Sequence, residues 1–284
     1  MQRTELKNQK ANTMKTKIGI VGLGLIGGSL LKKLREFDEF ELFAVSGNEK
    51  TQKTLKEWGI KVSSNFEILK SCEVVFVCSP ISKILEVLDK LENVVSSNTI
   101  VSDAASVKEF VGKKERPYKL IGGHPMAGTE KQGFENSFKE LFEGAKWVLC
   151  PFCNSEKKDV EVLKNIVEKT GARVLEADAK AHDYAAALIS HMPLLISQAI
   201  FESAKDNDLA LLLASSGFRD MTRLACSNLD MAKDMVKYNK KNIEKAFDSF
   251  ASSLNTLTDD YSNKIGEIKS QREKMYSREG KNIL

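Results

Sequence analysis

The sequence predicts an α/β protein in which an N-terminal Rossmann-type dinucleotide-binding domain precedes an all-α domain. Three observations support this prediction. A Gly-x-Gly-x-x-Gly segment follows a β-type run at residues 17–21 and precedes a helical pattern. Strand and helix patterns then alternate to about residue 124, which is typical of βαβ units in a mostly parallel sheet. Beyond about residue 178 only helical patterns remain.

The glycine-rich segment predicts a phosphate-binding turn. Gly22 allows the tight turn, Gly24 lets the backbone approach a pyrophosphate, and Gly27 lets the helix pack closely on the strand. Unpaired N–H groups at the start of the helix attract the phosphates. We expect this turn to bind a dinucleotide through Gly22, Gly24, Leu25, Ile26 and Gly27.

The second strand, at residues 41–45, ends where an acidic residue usually binds the ribose 2′-hydroxyl of NAD. Here the strand ends in Ser46, and no carboxylate stands at that position. Ser46 and Thr51 supply hydroxyl groups and Lys50 a positive charge, which favours the 2′-phosphate of NADP. The alternative is NAD, with Glu49 as the ribose ligand.

Further strands are predicted at residues 73–78, 99–101, 147–151 and 172–176, with helices between most of them. A short apolar run, Leu120-Ile121, predicts another strand that Pro125 should end. His124 would then lie at the carboxyl end of a strand, where open α/β sheets bind small ligands. Glycines and a proline flank it, and we expect a catalytic group rather than a packed histidine.

The domain boundaries follow from these patterns. We expect a loose tail at residues 1–13, the dinucleotide-binding domain at 14–178 and the helical domain at 179–284. In the helical domain, His191 precedes a helix-bending Met192-Pro193 and is as consistent with a cavity as with the core. Arg219 and Arg223 share one helix face, and spacing alone favours a surface role. His182 is expected to be a surface or capping residue.

Composition excludes several other classes. A net charge of +4 gives no argument for nucleic acid or a membrane surface, and no apolar run approaches the ~18 residues that span a bilayer. Five scattered cysteines and a polar N-terminus suggest a reducing, cytoplasmic protein. Cys150-x-x-Cys153 has redox or metal-site spacing, but it lacks a second pair and a nearby histidine. We therefore expect no metal.

Four motifs together resemble the prephenate and arogenate dehydrogenases. They are the glycine turn at 22–29, Asp103-x-x-Ser106-Val-Lys108, the segment from Gly122 to Thr129 that contains His124, and Ser215-Ser-Gly-Phe-Arg-Asp-x-x-Arg223. The resemblance extends from about residue 17 to 245. The strand that ends in serine and the last motif are most similar to the NADP-dependent arogenate branch.

The resemblance implies an enzyme that oxidises and decarboxylates prephenate or arogenate in tyrosine biosynthesis, as a homodimer formed by the helical domain. It implies that His124 takes the proton of the substrate's ring hydroxyl while hydride passes to NAD(P). Ser106 would orient His124, the nicotinamide or both, and Arg223 would bind a substrate carboxylate; Thr129 and His191 are further candidate substrate ligands. Cys78, Ser79, Pro80 and Asp103 would line the ribose and nicotinamide end of the cofactor.

One departure concerns the substrate. Many prephenate-preferring members carry a histidine three residues after the His191 position, and this chain has Leu194 there.

Two alternatives to a dehydrogenase of this family stay open. One is another NAD(P)-dependent hydroxyacid or imine oxidoreductase with the same two-domain plan, and the other is a non-catalytic dimer that binds a dinucleotide.

Overall fold

The computed structural model describes residues 15–277. An eight-stranded sheet forms the first part of the chain, in the order β3-β2-β1-β4-β5-β6-β7-β8. All neighbouring strands are parallel except β6 and β7. The strands are β1 (Thr16–Val21), β2 (Phe40–Val45), β3 (Lys61–Ser63), β4 (Val74–Val77), β5 (Ile100–Asp103), β6 (Lys119–Pro125), β7 (Lys146–Pro151) and β8 (Arg173–Glu176).

This sheet confirms the predicted fold class. The order 3-2-1-4-5-6 is that of a doubly wound dinucleotide-binding fold, in which ligands bind at the carboxyl ends of the strands. Strand β4 is all apolar and fully buried, and β5 and the last four residues of β1 are buried as well, as expected for a sheet with two covered faces. The helices of this part are α1 (Leu25–Leu34), α2 (Glu49–Glu57), α3 (Ile81–Leu91), α4 (Lys157–Glu168) and α5 (Ala179–Ala186).

The rest of the described chain is helical, as predicted. It begins with a π-helical turn at Ala187–His191. The helices that follow are α6 (Met192–Ala204), α7 (Asp208–Leu212), α8 (Ser216–Thr222), α9 (Leu229–Asp259) and α10 (Tyr261–Tyr276). Asn239 has non-helical backbone angles inside α9, with φ −118° and ψ 18°. Asn239 therefore divides α9 into two segments.

Contacts divide the described residues into two compact units. The first contains residues 15–186 together with 226–238, and the second contains 187–225 together with 239–277. Segment 226–238 belongs to the first unit because it packs there. Tyr238 stacks on Phe110 with ring centroids 4.5 Å apart, and the Asp234 carboxylate accepts a hydrogen bond of 2.9 Å from the Ser82 backbone N–H.

One helical stretch, residues 179–204, is long and apolar enough to cross a membrane by length and composition alone. This differs from the expectation that no run approaches that length. The stretch is interrupted by the π-turn and contains Pro193 and the buried His191. A single helix of this kind is weak evidence for a membrane span, because helices that pack against protein pass the same test.

The cysteines supply a test of the packing. All five are free thiols, and desolvation raises the pKa of Cys72, Cys78 and Cys150 to about 12. These three stay protonated at pH 8, and a thiol reacts with alkylating agents only as its thiolate. Cys153 and Cys226 are exposed. We predict that N-ethylmaleimide labels these two in the native protein at pH 8 and all five after denaturation.

Intact-mass measurement counts the adducts, and Cys153→Ser serves as the control because it should remove one native adduct. Rapid native labelling of Cys72 or Cys150, or a Cys150–Cys153 disulfide, would contradict this packing.

Candidate active site

The glycine turn between β1 and α1 has the geometry that a dinucleotide requires. Gly22 has a φ of +86°, and a Cβ there would lie 2.8 Å from the Cys78 carbonyl. A Cβ on Gly27 would lie 2.1 Å from the Gly22 carbonyl oxygen, so α1 packs directly on the turn. A Cβ on Gly24 would meet nothing within 4 Å. The backbone is therefore open at Gly24, where phosphates would approach the start of α1.

The other residues predicted to contact the cofactor lie around this turn. Leu25 and Ile26 begin α1 and are half-buried. Cys78 and Ser79 follow β4 and are also half-buried, while Pro80 is exposed and precedes α3. Because β1 and β4 are adjacent and parallel, these segments meet at the same edge of the sheet.

The end of β2 carries no carboxylate. The Ser46 hydroxyl accepts a hydrogen bond from the Asn48 backbone N–H, and the Asn48 side chain caps α2 by accepting from the Thr51 backbone N–H. Ser46 and Thr51 are buried, at 9% and 7% exposure, whereas Glu49 and Lys50 are exposed. By exposure, Lys50 is therefore the best placed of the predicted residues to meet a 2′-phosphate.

His124 is the next-to-last residue of β6. That strand is parallel to β5 and antiparallel to β7, where His124 pairs with Val148. The imidazole is half-buried at the carboxyl edge of the sheet, the edge that also carries the glycine turn. Its Nδ1 atom lies 2.8 Å from the Nε2 atom of His182 in α5. The two rings meet edge to face, 5.0 Å apart at 78°.

His182 connects His124 to a buried carboxylate. The Nδ1 atom of His182 lies 2.8 Å from Asp183 Oδ1, and the two residues are 5% and 1% exposed. The Asp183 carboxylate also accepts the backbone N–H groups of Lys108 at 2.7 Å and Glu109 at 2.8 Å. The expectation that His182 is a surface or capping residue is wrong, because His182 is buried and contacts His124. This contact joins residues 58 positions apart in the sequence, so local pattern could not predict it.

A buried ion pair fixes the strand ends beside His124. Lys108 and Asp103 are both 0% exposed, and the Lys108 ammonium donates to the Asp103 carboxylate and to the Gly123 carbonyl oxygen, the latter at 2.6 Å. Asp103 also accepts the backbone N–H groups of Ala105 at 2.9 Å and Gly123 at 3.3 Å. Asp103 is predicted to line the ribose and nicotinamide end of the cofactor, and a contact with a cofactor stays a prediction beside these partners. Lys108 ends the Asp103-x-x-Ser106-Val-Lys108 motif, but the sequence predicted no role for it.

Gly123 lies where the end of β5 leaves no room for a side chain. A Cβ there would lie 2.4 Å from the Asp103 carbonyl oxygen and 2.8 Å from the Ser102 hydroxyl oxygen. Both distances are shorter than real Cβ contacts, so the ends of β5 and β6 can approach only at a residue without a side chain. This close approach sets the position from which His124 projects.

Ser106 follows β5 in the same segment. Its hydroxyl oxygen is inaccessible to solvent and has no hydrogen-bond partner among residues 15–277. A buried hydroxyl without a partner costs on the order of 1–3 kcal/mol, which a bound ligand could recover. The hydroxyl without a partner supports the prediction that Ser106 contacts the substrate or the nicotinamide, which stays a prediction.

The loop that follows His124 is anchored to α1. Lys32 donates to the carbonyl oxygen of Ser137 at 2.5 Å, and the Ser29 hydroxyl accepts from the Phe138 backbone N–H at 3.0 Å. Burial lowers the pKa of Lys32. Thr129, a predicted substrate ligand, lies on the exposed part of this loop and accepts from the Lys131 backbone N–H at 3.2 Å.

The remaining predicted ligands belong to the second unit. His191 is 1% exposed at the end of the π-turn, and its Nδ1 atom lies 3.0 Å from the side-chain amide nitrogen of Asn239, the residue that interrupts α9. Arg223 is exposed at the start of a 3₁₀ turn after α8. Arg219 is exposed as well, and its Nε atom lies 3.6 Å from Asp220 Oδ1.

Two family sequence models match the chain. One, described as "Prephenate dehydrogenase, nucleotide-binding domain", matches residues 32–176. The other, described as "Prephenate dehydrogenase, dimerization domain", matches residues 178–272. Together they cover most of the chain, from within α1 to within α10.

Individual proteins agree with these matches. A prephenate dehydrogenase of Lactococcus lactis subsp. cremoris is 31% identical, over 94% of this chain and 76% of its own. The crystal structure of Synechocystis arogenate dehydrogenase is 33% identical with a TM-score of 0.79, covering 91% of this chain and 97% of that one. The structure of Aquifex aeolicus prephenate dehydrogenase with hydroxyphenyl propionate and NAD+ is 29% identical, with a TM-score of 0.81 and coverage of 94% and 100%.

The buried ion pair gives a stability prediction. Lys108→Met leaves the Asp103 carboxylate buried without its cation, which should lower the free energy of unfolding by about 3–5 kcal/mol. Urea denaturation followed by circular dichroism measures this change. Lys83→Met is the matched control, since Lys83 is 64% exposed in its ion pair with Glu86 and its loss should leave the midpoint nearly unchanged. Equal midpoints for the two variants would show that the Lys108 pair does not stabilise the fold.

Proposed function

The chain belongs to the prephenate dehydrogenase family, and on that premise we propose that it uses NADP+ in preference to NAD+, with His124 as the proton acceptor. The reaction is the oxidative decarboxylation of prephenate or arogenate, a step in tyrosine biosynthesis. The observation that carries our assignment is the placement of His124. Its half-buried ring stands at the sheet edge that carries the glycine turn, and a buried histidine–aspartate pair holds it.

The cofactor preference rests on the end of β2. An aspartate or glutamate there would bind the ribose 2′-hydroxyl of NAD+ and repel a 2′-phosphate. Ser46 stands there instead and has a hydroxyl proton to donate, since its oxygen already accepts from Asn48. Lys50 adds a positive charge on the first turn of α2. The alternative, NAD+ with Glu49 as ribose ligand, is the cofactor named in the Aquifex aeolicus complex.

His124 and Ser106 have different proposed roles in the reaction. A nicotinamide held at the glycine turn would supply the acceptor for the hydride on the ring carbon that carries the hydroxyl. His124, in its neutral form, accepts the hydroxyl proton as the C–H bond breaks, which leaves a ring carbonyl. Loss of CO2 then moves its bonding electrons through the ring to that oxygen, and His124 returns the proton to give the phenol. Ser106 donates a hydrogen bond that orients the reacting groups.

The substrate's carboxylates need cationic partners. Arg223 presents a guanidinium that can bind two carboxylate oxygens at once, and we propose it as the ligand of the ring or side-chain carboxylate. Thr129 is proposed as a hydroxyl ligand on the loop after His124. His191 remains a candidate, although direct contact would require its 1%-exposed ring to reorient from Asn239.

Leu194 favours arogenate over prephenate. It occupies the position where many prephenate-preferring members carry a histidine, and its side chain is 3% exposed. A buried leucine supplies no donor for the keto-acid side chain of prephenate.

We also propose that the chain acts as a homodimer in the cytoplasm. Large apolar side chains are exposed in the second unit, which corresponds to the dimerization-domain match. They include Ile189, Leu212, Leu213 and Met221, at 67%, 80%, 71% and 58% exposure. Covering such a set against a second copy would remove it from water.

One assay separates this proposal from its alternatives. Formation of NADPH and NADH is followed at 340 nm with arogenate and with prephenate. We expect turnover with at least one substrate, and a higher kcat/KM with NADP+ than with NAD+. A different hydroxyacid or imine oxidoreductase would turn over neither acid, and a non-catalytic dimer would bind NADP+ without turnover of any such substrate.

The role of His124 predicts a specific kinetic defect. His124→Asn removes the proton acceptor but leaves the glycine turn intact, so kcat should fall by on the order of 10²–10⁴. The Kd of NADP+, measured by fluorescence titration, should stay within a factor of about two because the turn and the end of β2 are untouched. An unchanged kcat would remove His124 from the mechanism.

The end of β2 predicts a change of cofactor. Ser46→Asp places a carboxylate where the 2′-phosphate would lie, so the ratio of kcat/KM for NADP+ to that for NAD+ should fall by about tenfold or more. Ser97→Asp adds the same charge in the exposed turn that precedes β5, at the opposite edge of the sheet, and should leave the ratio unchanged. If Ser46→Asp leaves the ratio unchanged, the 2′-phosphate is bound elsewhere.

A further inference from the structure

The histidine pair His124–His182 and the carboxylate of Asp183 form one continuous line of hydrogen bonds. We propose that His182 and Asp183 are positioning residues for the catalytic base: they hold His124 in the tautomer whose lone pair lies on Nε2. This inference rests on the proposed function, since it concerns the same reaction.

Backbone groups hold the Asp183 carboxylate in place. The carboxylate is 1% exposed and accepts backbone N–H groups from Lys108 on one oxygen and Glu109 on the other. Backbone N–H groups can only donate, so both oxygens act as acceptors. The 2.8 Å contact between Asp183 Oδ1 and Nδ1 of His182 is then an N–H donated by the histidine.

The tautomer of His182 fixes that of His124. With its proton on Nδ1, a neutral His182 can only accept at Nε2. The 2.8 Å contact with His124 therefore requires that His124 Nδ1 carries the proton and donates it. A neutral imidazole has one proton, so the lone pair of His124 is on Nε2. With its lone pair on Nε2, His124 can take the proton of a substrate hydroxyl at that atom.

The same line stabilises the charge that forms in the reaction. When Nε2 accepts a proton, the imidazolium keeps donating from Nδ1 toward His182, whose other side faces the Asp183 anion. The other charged groups beside this site, Lys108 and Asp103, pair with each other and offset one another. The Asp183 carboxylate at the end of this line is negative, which favours a cationic His124 in the transition state.

A purely capping role does not account for His182 and Asp183. The first N–H groups of α5 are satisfied by Asp178, whose carboxylate accepts from the Lys180 backbone N–H at 2.9 Å and the Ala181 backbone N–H at 3.0 Å. Asp183 does bind the 108–109 backbone, which helps to pack α5. A test must therefore leave Asp183 in place and change only the link to His124.

Two substitutions of His182 achieve this separation. His182→Leu removes the ring nitrogen that accepts from His124 Nδ1. In His182→Gln, the amide nitrogen can still donate to Asp183 and the amide oxygen can still accept from His124. We expect His182→Leu to lower kcat with arogenate or prephenate by about 10–100-fold, with KM and the Kd of NADP+ nearly unchanged. His182→Gln should recover most of kcat, and a structural role alone would not give this pattern.

Nitrogen NMR of the histidine rings supplies a readout that does not depend on turnover. The chain has three histidines, so the ring signals of 15N-histidine-labelled protein can be assigned with single variants. We expect the Nδ1–H tautomer for neutral His124 in the wild type and in His182→Gln, and a shift toward the Nε2–H tautomer in His182→Leu.

The outcomes separate the two proposals. An active wild type in which His124 carries its proton on Nε2, or in which His182→Leu is fully active, would overturn the positioning role and leave the proposed function standing. A wild type that turns over neither acid, but whose His124 carries its proton on Nδ1 and changes tautomer in His182→Leu, would overturn the proposed function and leave the positioning of the ring intact.

Discussion

The arrangement of the first unit's site depends on the buried pair of Lys108 and Asp103. The Lys108 ammonium joins the end of β5 to the Gly123 carbonyl oxygen, next to His124 in β6. The backbone N–H of the same lysine binds Asp183, which begins the line back to the His124 ring. One residue therefore fixes both the backbone and the ring orientation of His124. Two charges at 0% exposure are tolerated because each is paired and hydrogen-bonded.

The sheet topology places the glycine turn and His124 at one edge of the sheet within the first unit. Parallel strands β1, β4, β5 and β6 end at one edge of the sheet. The glycine turn, Cys78 and Ser106 follow strands that end there, and His124 lies near the end of β6 at the same edge. Glycine is required wherever the backbone must approach closely, at Gly22, Gly27 and Gly123. An open backbone at Gly24 and a hydroxyl of Ser106 without a partner among the described residues are the features that a bound ligand would complete.

Sequence alone predicted the features that depend on local pattern. The glycine turn, the apolar strands, the end of β6 at Pro125 and the helical second half follow from turn chemistry and periodicity. It did not predict β3, because Lys61-Val62-Ser63 is a three-residue edge strand with little apolar signal. It missed His182, Asp183 and Lys108 as well, because their roles come from contacts across 15 to 75 residues of sequence. Contacts between residues far apart in the sequence leave no periodic pattern from which they could be predicted.

The role of His124 is tested most sharply by a crystal structure of the protein with NADP+ and 4-hydroxyphenylpropionate, an aromatic acid that carries the phenol oxygen of the product. We predict that this oxygen lies within about 3.2 Å of His124 Nε2, while Nδ1 keeps its contact with His182. A phenol oxygen bound away from His124, or a His124 ring turned so that Nδ1 faces the ligand, would contradict it.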